Sequence, residues 1–273
     1  MTSAYAYKEL IESAAASFLT GVATTKRMTY CLAIKLQEGL VFCSDSRTNA
    51  GVDQVASYSK LHRFDQFTDR SFFILSAGNL GTTQAVIKAI QADLDSAAPL
   101  NLATATSTTD VADYVGRLSL QMQQKYLSGG PAAGFDASAS FIVGGQIMGR
   151  DADIYLVYPE GNHISAAKKH PFLQIGEIKY GKPILERIIN PETAANTAML
   201  CALVSMDSTI HSNATVGPPV ELLFYPRDSF QVPNQYHFFG EGDPQLAKLS
   251  KVWNDRICEA FDGMPLLGDP YYD

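Results

Sequence analysis

The stretch TYCLAIKLQEGLVFCSDSRTNAG, residues 29–51, carries the pattern that decides the fold. TYCLAIKL at 29–36 is rich in β-forming residues in rough alternation, and LVFCS at 40–44 follows a short turn at Glu38 and Gly39. Two such runs around a glycine-containing turn predict a β-hairpin. Because this character begins abruptly after Met28, Thr29 is expected at the start of the first strand.

The remaining pattern predicts an α+β domain. Strands are predicted at 60–64, 72–78, 138–145, 153–158 and 220–225, and helices at 80–98, 108–127, 194–211 and 244–261. The N-cap of the second helix is expected within Thr108–Asp110. Strand runs followed by paired helices favour a layered α+β fold over alternating βαβ units. No linker interrupts 29–273, so these residues are predicted to form one domain, with 1–28 as an extension that is absent or removed in the active form.

Composition excludes several classes of function. Of the 273 residues, 46% are hydrophobic and 18% charged, which is enough for a sizeable core, and the net charge of -7 argues against nucleic-acid binding. No apolar run reaches the roughly 18 residues that a membrane span needs. The four cysteines are isolated in apolar stretches without metal-ligand spacing, which is typical of buried thiols and of a reducing compartment such as the cytoplasm. No metal or organic cofactor is expected.

Thr29 is the candidate nucleophile. Methionine removal favours a small following residue, so a chain that starts at Met28 would expose Thr29 with a free α-amine. Such an amine titrates near about pH 8, so one residue can supply both nucleophile and base. A lysine such as Lys60 could stabilise the ionised hydroxyl, Asp45 could hold that lysine, and the Gly78 backbone N–H could bind the oxyanion.

These motifs resemble the proteasome β-type subunits. MTYC at 28–31, SDSRTNAG at 44–51, Lys60 and SAGNLGTT at 76–83 occur in the family's order. The TYC opening, QIGEIKYGKPIL at 174–185 and SMDSTIHSNATVGPPVELL at 205–223 are similar to its bacterial homologue Anbu, the ancestral beta subunit. The resemblance spans 29 to roughly 250. It implies a four-layer αββα sandwich of the N-terminal-nucleophile hydrolase type, assembled as a homo-oligomeric ring or spiral.

The resemblance also implies roles for single residues. Thr29 would be the nucleophile, with Asp45 and Lys60 as its charged partners and Gly78 at the oxyanion position. Asp207 falls where the family places a catalytic carboxylate near the N-terminus, and Arg47 and Ser208 would give structural support. Two departures stand out: Arg27-Met28 replaces the glycine at the self-cleavage site, and Glu177 takes the place of a serine that holds the free amine.

Several alternatives remain open. Asp207 continues an apolar helical stripe, so it could equally be a functional carboxylate or a structural hydrogen-bonding group. The leading prediction is a threonine-type peptidase that acts on peptides or proteins. A non-catalytic ring-forming scaffold and a small-molecule amidase on the same fold are the alternatives. The sequence does not specify cleavage preference or subunit number.

Overall fold

Twelve strands and five helices lie within the residues that the computed structural model describes, which are 29–49, 55–128 and 135–265. The strands are β1 Tyr30–Lys35, β2 Gly39–Asp45, β3 Arg47–Asn49, β4 Val55–Ser57, β5 Leu61–Phe64, β6 Arg70–Gly78, β7 Ala139–Ile147, β8 Asp153–Val157, β9 His163–Ser165, β10 Phe172–Gly176, β11 Val220–Pro226 and β12 Gln235–Phe239. The helices are α1 Leu80–Asp95, α2 Thr108–Leu127, α3 Lys182–Ile188, α4 Ala195–Ser212 and α5 Pro244–Asp262.

The strands form two five-stranded antiparallel sheets and one short pair. The first sheet has the order β10-β1-β2-β11-β12, the second β5-β6-β7-β8-β9, and β3 pairs with β4. The predicted hairpin is confirmed, because β1 and β2 pair antiparallel with Cys31 opposite Ser44. The mixed α/β class with antiparallel sheets is confirmed as well.

Three hydrophobic clusters stabilise the described chain. One joins β1, β2 and β11 to α3 and α4, and a second joins β6 and β7 to α1 and α2. The third contains residues of both sheets, such as Phe42, Phe73 and Ile142. Strand β1 contributes Tyr30 to the first cluster and Cys31 to the third, so both of its faces are buried. Burial on both faces explains why the hydrophobic run at 29–36 is nearly continuous.

Most predicted elements are confirmed, with corrections at their ends. Helix α1 ends at Asp95 rather than at 98. Helix α2 is capped by Ser107, one residue before the predicted cap region: the Ser107 side chain accepts from Asp110 N at 3.1 Å, and the Asp110 carboxylate accepts from Thr106 N at 3.0 Å. This reciprocal capping satisfies amides at the start of the helix. The sequence prediction missed β3, β4, β9, β10, β12 and α3.

The terminal predictions have different outcomes. Cys31, Cys43 and Cys201 are buried as predicted, whereas Cys258 on α5 is exposed. Residues 1–28 lie outside the described part of the chain, so the predicted extension stays a prediction. Among the helices of the described ranges, none combines the length and apolarity that a bilayer span requires.

Candidate active site

Asp45 accepts hydrogen bonds from three groups at one oxygen. Its Oδ1 accepts from Thr29 Oγ1 at 2.6 Å, from Tyr30 N at 3.0 Å and from Lys60 Nζ at 2.7 Å. Asp45 is fully buried at the end of β2, and Thr29, 5% exposed, directly precedes β1. The hairpin therefore brings Thr29 and Asp45 together, because the start of β1 lies beside the end of β2.

Lys60 lies just before β5 and supplies the ammonium that pairs with Asp45. Its ammonium pairs with Asp45 and also donates to Arg47 O at 2.7 Å, and Lys60 is only 8% exposed. The Lys60 carbonyl accepts from Ser76 N at 3.1 Å, which ties the lysine to β6 in the second sheet. A buried ion pair needs additional hydrogen bonds to offset its desolvation; here Arg47 O accepts from the ammonium and Tyr30 N donates to the carboxylate.

The other oxygen of Asp45 contacts the segment before β11. Oδ2 accepts from Gly217 N at 3.3 Å. Arg47 packs against the same segment: its Nη1 donates to Ala214 O at 3.1 Å, and its Cζ lies 2.3 Å from where a Cβ on Gly217 would be. Any larger residue at 217 would displace the guanidinium. Arg47 thus contacts the segment that donates to Asp45, and its side-chain hydrogen bond and ion pair within the described residues do not involve Thr29.

Glu177 lies directly after β10, the edge strand that the sequence prediction missed. Its backbone N–H donates to Thr29 O at 2.6 Å, and its carboxylate is buried, with Oε2 accepting from Asn213 Nδ2 at 3.3 Å. Gly176 permits this approach, since its φ is +84° and a Cβ there would lie 1.8 Å from Thr29 O. Glycine at 176 is therefore a requirement of the close contact with Thr29.

Gly78 ends β6 immediately before the first turn of α1. Its φ is +107°, and a Cβ at this position would lie 2.5 Å from Ser138 O. The following residue, Asn79, caps α1 by accepting from Thr82 N. A strand that turns sharply into a helix leaves backbone N–H groups available near the helix N-terminus, as an oxyanion site needs.

Asp207 and Ser208 lie away from this group of contacts, on the side of α4 that faces α5. Both line a cavity of about 640 Å³ between the two helices, together with His211, Ser250 and Trp253. Burial raises the pKa of Asp207, while a hydrogen bond from Ser250 and the nearby His211 act in the opposite direction. The described contacts of Asp207 are thus with α4 and α5.

Sequence reasoning missed Asn213 and Gly217. Asn213 is the C-cap of α4 and lies six positions after Asp207, where the chain turns back toward Glu177. The only signal in the sequence was SNATVGPP at 212–219, whose Asn, Gly and Pro predict a loop without saying what the loop contacts.

Cys31 is the nearest thiol to Thr29 in sequence, but its environment does not favour nucleophilic chemistry. It is fully buried, and burial raises the pKa of its thiol well above the ordinary range. A buried neutral thiol is a poor nucleophile. In the described ranges, no three His, Cys, Asp or Glu side chains are grouped as a metal site would need.

Solved structures of related proteins match almost the whole domain. Anbu from Yersinia bercovieri is 38% identical over 88% of this chain and 98% of its own, with a TM-score of 0.81. The "Helical Assembly of the Anbu Complex from Pseudomonas aeruginosa" is 40% identical over 89% and 100%, with a TM-score of 0.83. An Anbu from Hyphomicrobium sp. strain MC1 is 39% identical over 88% and 100%, with a TM-score of 0.78.

No family model matches the chain, and no curated protein does. The structural relatives nevertheless exceed 30% identity over nearly their full length. The chain belongs to the Anbu (ancestral beta-subunit) family of proteasome-like proteins.

Proposed function

We propose that this protein is a threonine-type peptidase of the N-terminal-nucleophile class, with Thr29 as the nucleophile. The observation that carries the proposal is the shared acceptor: the Thr29 hydroxyl and the Lys60 ammonium both donate to Oδ1 of Asp45, at 2.6 and 2.7 Å. The hydroxyl and the cation thus share one acceptor atom, and from there the ammonium would stabilise the ionised Thr29 oxygen. If Thr29 served only as a β-forming residue at the start of β1, the fold would not require a buried ion pair beside it.

The reaction would proceed through an ester. Thr29 Oγ1 attacks the carbonyl carbon of the substrate amide, and its proton passes to the α-amine of the same residue. The Gly78 N–H stabilises the oxyanion. When the C–N bond breaks, the departing amine takes the proton from the α-ammonium, and water then hydrolyses the Thr29 ester. Thr29 must be the first residue for this cycle, because an amide nitrogen cannot accept the proton.

Glu177 and Asn213 are proposed to hold that free amine. The Glu177 backbone N–H binds Thr29 O and its carboxylate is buried, and the two residues lie at the same end of the paired strands β10 and β1. A carboxylate near an ammonium stabilises its charged form. Asn213 Nδ2 donates to the Glu177 carboxylate and would keep it oriented. Arg47 is proposed to support Asp45 through the Gly217 segment.

The layered arrangement of the family is part of the same proposal. One hydrophobic cluster joins the first sheet to helices, another joins the second sheet to helices, and the third joins the two sheets to each other. This pattern supports a four-layer αββα sandwich for residues 29–273. The substrate would then enter where the sheet ends carrying Thr29, Lys60 and Gly78 meet.

Turnover by a chain that begins at Thr29 tests the proposal. The assay uses peptides of mixed sequence with a fluorogenic amide, and Thr29→Ala is the control. Hydrolysis by the wild-type chain, abolished in Thr29→Ala, is the expected result. Hydrolysis of small amides but of no peptide would favour the amidase alternative instead. A folded chain starting at Thr29 that hydrolyses neither would favour a scaffold.

Assembly into a homo-oligomer is proposed on separate grounds. A relative from Pseudomonas aeruginosa is described as a helical assembly, and α5 of this chain exposes large apolar side chains, including Val252, Ile257 and Phe261. Exposed apolar side chains on one helix are typical of an association surface. Light scattering at micromolar concentration should report a mass several times that of one chain, whereas a stable monomer would contradict the proposal.

A further inference from the structure

Glu221 is a buried carboxylate that the catalytic scheme above does not use. It lies on β11, opposite Ser44 of β2, and is 5% exposed. Its Oε2 accepts from Ser59 Oγ at 2.7 Å and, over a longer 3.4 Å, from Ser46 Oγ. Its Oε1 accepts from Tyr236 OH at 2.8 Å. Three hydroxyl groups from three separate segments therefore converge on one carboxylate.

Glu221 has no cationic partner within ion-pair distance among the described residues. Burying a carboxylate costs desolvation free energy unless its oxygens are well hydrogen-bonded. An apolar residue at this strand position would be buried without that cost. A site of this kind calls for a role beyond packing.

The donors to Glu221 flank the two charged residues of the active site. Ser59 directly precedes Lys60, and Ser46 lies between Asp45 and Arg47. Those last two residues provide both acceptors of the Lys60 ammonium, Asp45 Oδ1 and Arg47 O. The two segments also meet through Tyr58 N, which donates to Ser46 O at 3.0 Å. Glu221 thus links the segment that carries Lys60, through Ser59, to the segment that provides the acceptors of the Lys60 ammonium, through Ser46.

We infer that Glu221 is a positioning residue for the Asp45–Lys60 pair: its carboxylate, through Ser59 and Ser46, fixes the Lys60 ammonium at hydrogen-bonding distance from Asp45 Oδ1. Glu221 acts through these residues and does not touch the substrate. The inference rests on the proposed function for its catalytic consequence, but the placement of Lys60 can be measured whether or not the protein is a hydrolase.

The test compares three variants with a matched control. Glu221→Ala removes the carboxylate that accepts from Ser46 and Tyr236, and it leaves Ser59 Oγ only its contact with Leu61 O at 3.0 Å. Glu221→Gln keeps the shape, and its amide can still bond hydroxyls that rotate to donate or accept. Ser59→Ala removes the contacts of its hydroxyl with Glu221 Oε2 and Leu61 O and leaves Glu221 in place, so it remains informative if Glu221→Ala does not fold. The control is Gln146→Ala, which removes an equally buried polar network around Tyr225 and Asp228.

The control lies far from the site. Gln146 is opposite Ser71 near the start of β6, whereas Gly78 ends the same strand seven residues later. At the usual rise of a strand, this separation is about 23 Å. A loss of stability alone should therefore affect Gln146→Ala and Glu221→Ala alike, whereas loss of lysine positioning should affect only the variants of the Glu221 network.

Two readouts decide the matter, both on chains that begin at Thr29 and well below their melting temperatures. Crystal structures of Glu221→Ala should show Lys60 Nζ beyond hydrogen-bonding distance of Asp45 Oδ1. In peptide hydrolysis we expect kcat to fall at least about tenfold for Glu221→Ala, about threefold for Ser59→Ala and less than about threefold for Glu221→Gln, with KM within about twofold. Gln146→Ala should retain its kcat.

The outcomes separate the two claims. If Lys60 moves in Glu221→Ala while the wild-type chain itself does not turn over, the positioning inference holds and the proposed function fails. If Lys60 Nζ keeps its 2.7 Å contact and kcat is unchanged, Glu221 only stabilises the fold and the inference is overturned. Equal losses of kcat in Glu221→Gln and Glu221→Ala would also overturn it, because charge rather than hydrogen-bonded placement would then be the cause.

Discussion

Thr29 Oγ1 lies 2.6 Å from Oδ1 of Asp45, and that carboxylate is completely buried. The same oxygen receives the Lys60 ammonium, so the hydroxyl and the cation meet at one atom. In the proposed mechanism this buried carboxylate would orient the nucleophile and its electrostatic partner together, so each of the three side chains is expected to be needed for activity.

Lys60→Ala is expected to lower kcat by at least about 100-fold, because it removes the cation beside the developing negative charge. The matched control is Lys35→Ala, which removes another lysine–carboxylate pair, to Asp153 at 2.9 Å, on the opposite end of β1. Fluorogenic peptide assays on both variants check the prediction, with circular dichroism to verify folding. Near-native activity in a folded Lys60→Ala protein would remove Lys60 from the mechanism.

Gly78→Ala should cost both stability and activity. The added Cβ would meet Ser138 O at 2.5 Å, and alanine is strained at a φ of +107°. Strain of this kind is worth on the order of 1–3 kcal/mol. Gly149→Ala is the control, since its φ of +78° is also positive but nothing lies within 4 Å of the new Cβ.

Urea unfolding and peptide hydrolysis of both glycine variants measure the effect. Gly149→Ala should lose some stability and keep its turnover. If Gly78→Ala is no less active than Gly149→Ala, the assignment of the oxyanion site to residue 78 is wrong.

Asp207→Asn is expected to keep its activity within about twofold. Its carboxylate is near Ser250 of α5 and His211, so the substitution alters the α4–α5 contact rather than the surroundings of Thr29. Losing one partly exposed hydrogen bond should change the unfolding free energy by about 1 kcal/mol or less. A hundredfold loss of kcat in the folded variant would restore Asp207 to the catalytic set that the resemblance implies.

Acid should destabilise the protein through His62. Burial lowers the pKa of this imidazole from 6.5 to about 4. The unfolded chain therefore takes up the proton first as pH falls, and the contribution of neutral His62 to stability, complete above about pH 6.5, is lost progressively down to pH 4. Urea unfolding at several pH values should show this slope, and His62→Gln should reduce it. An unchanged slope in His62→Gln would contradict the assignment.

The central hairpin and the charged residues beside it could be predicted from sequence because they depend on short-range patterns. Two runs of β-forming residues around a glycine-containing turn predicted the pairing of β1 with β2, and this pairing puts Asp45 beside Thr29. Lys60 was a candidate cation on chemical grounds, but only the joint motif pattern of the resemblance singled it out, since a single lysine before a strand has no distinctive pattern of its own.

The missed parts depend on contacts between distant segments. Strand β10 is only five residues long and follows the polar run at 168–170 and Pro171, so nothing local marked it as the neighbour of β1. Helix α4 shows why the surroundings of Asp207 could not be predicted from its stripe. One face, with Ala198, Ala202 and Met206, packs on the first sheet, and another faces α5, so an apolar stripe does not reveal which neighbour a polar residue meets.

The N-terminus of the working protein tests the account most directly, because only a first-position threonine has its own α-amine. Chains expressed from Met1 and from Met28, with or without Thr29→Ala, are analysed by intact mass after exposure to an electrophile that labels N-terminal threonine. The chain from Met28 should begin at Thr29, take up one label and hydrolyse peptides, and its Thr29→Ala variant should do neither of the last two. A chain from Met1 that keeps residues 1–28, stays unlabelled and hydrolyses peptides equally well would show that Thr29 is not the nucleophile.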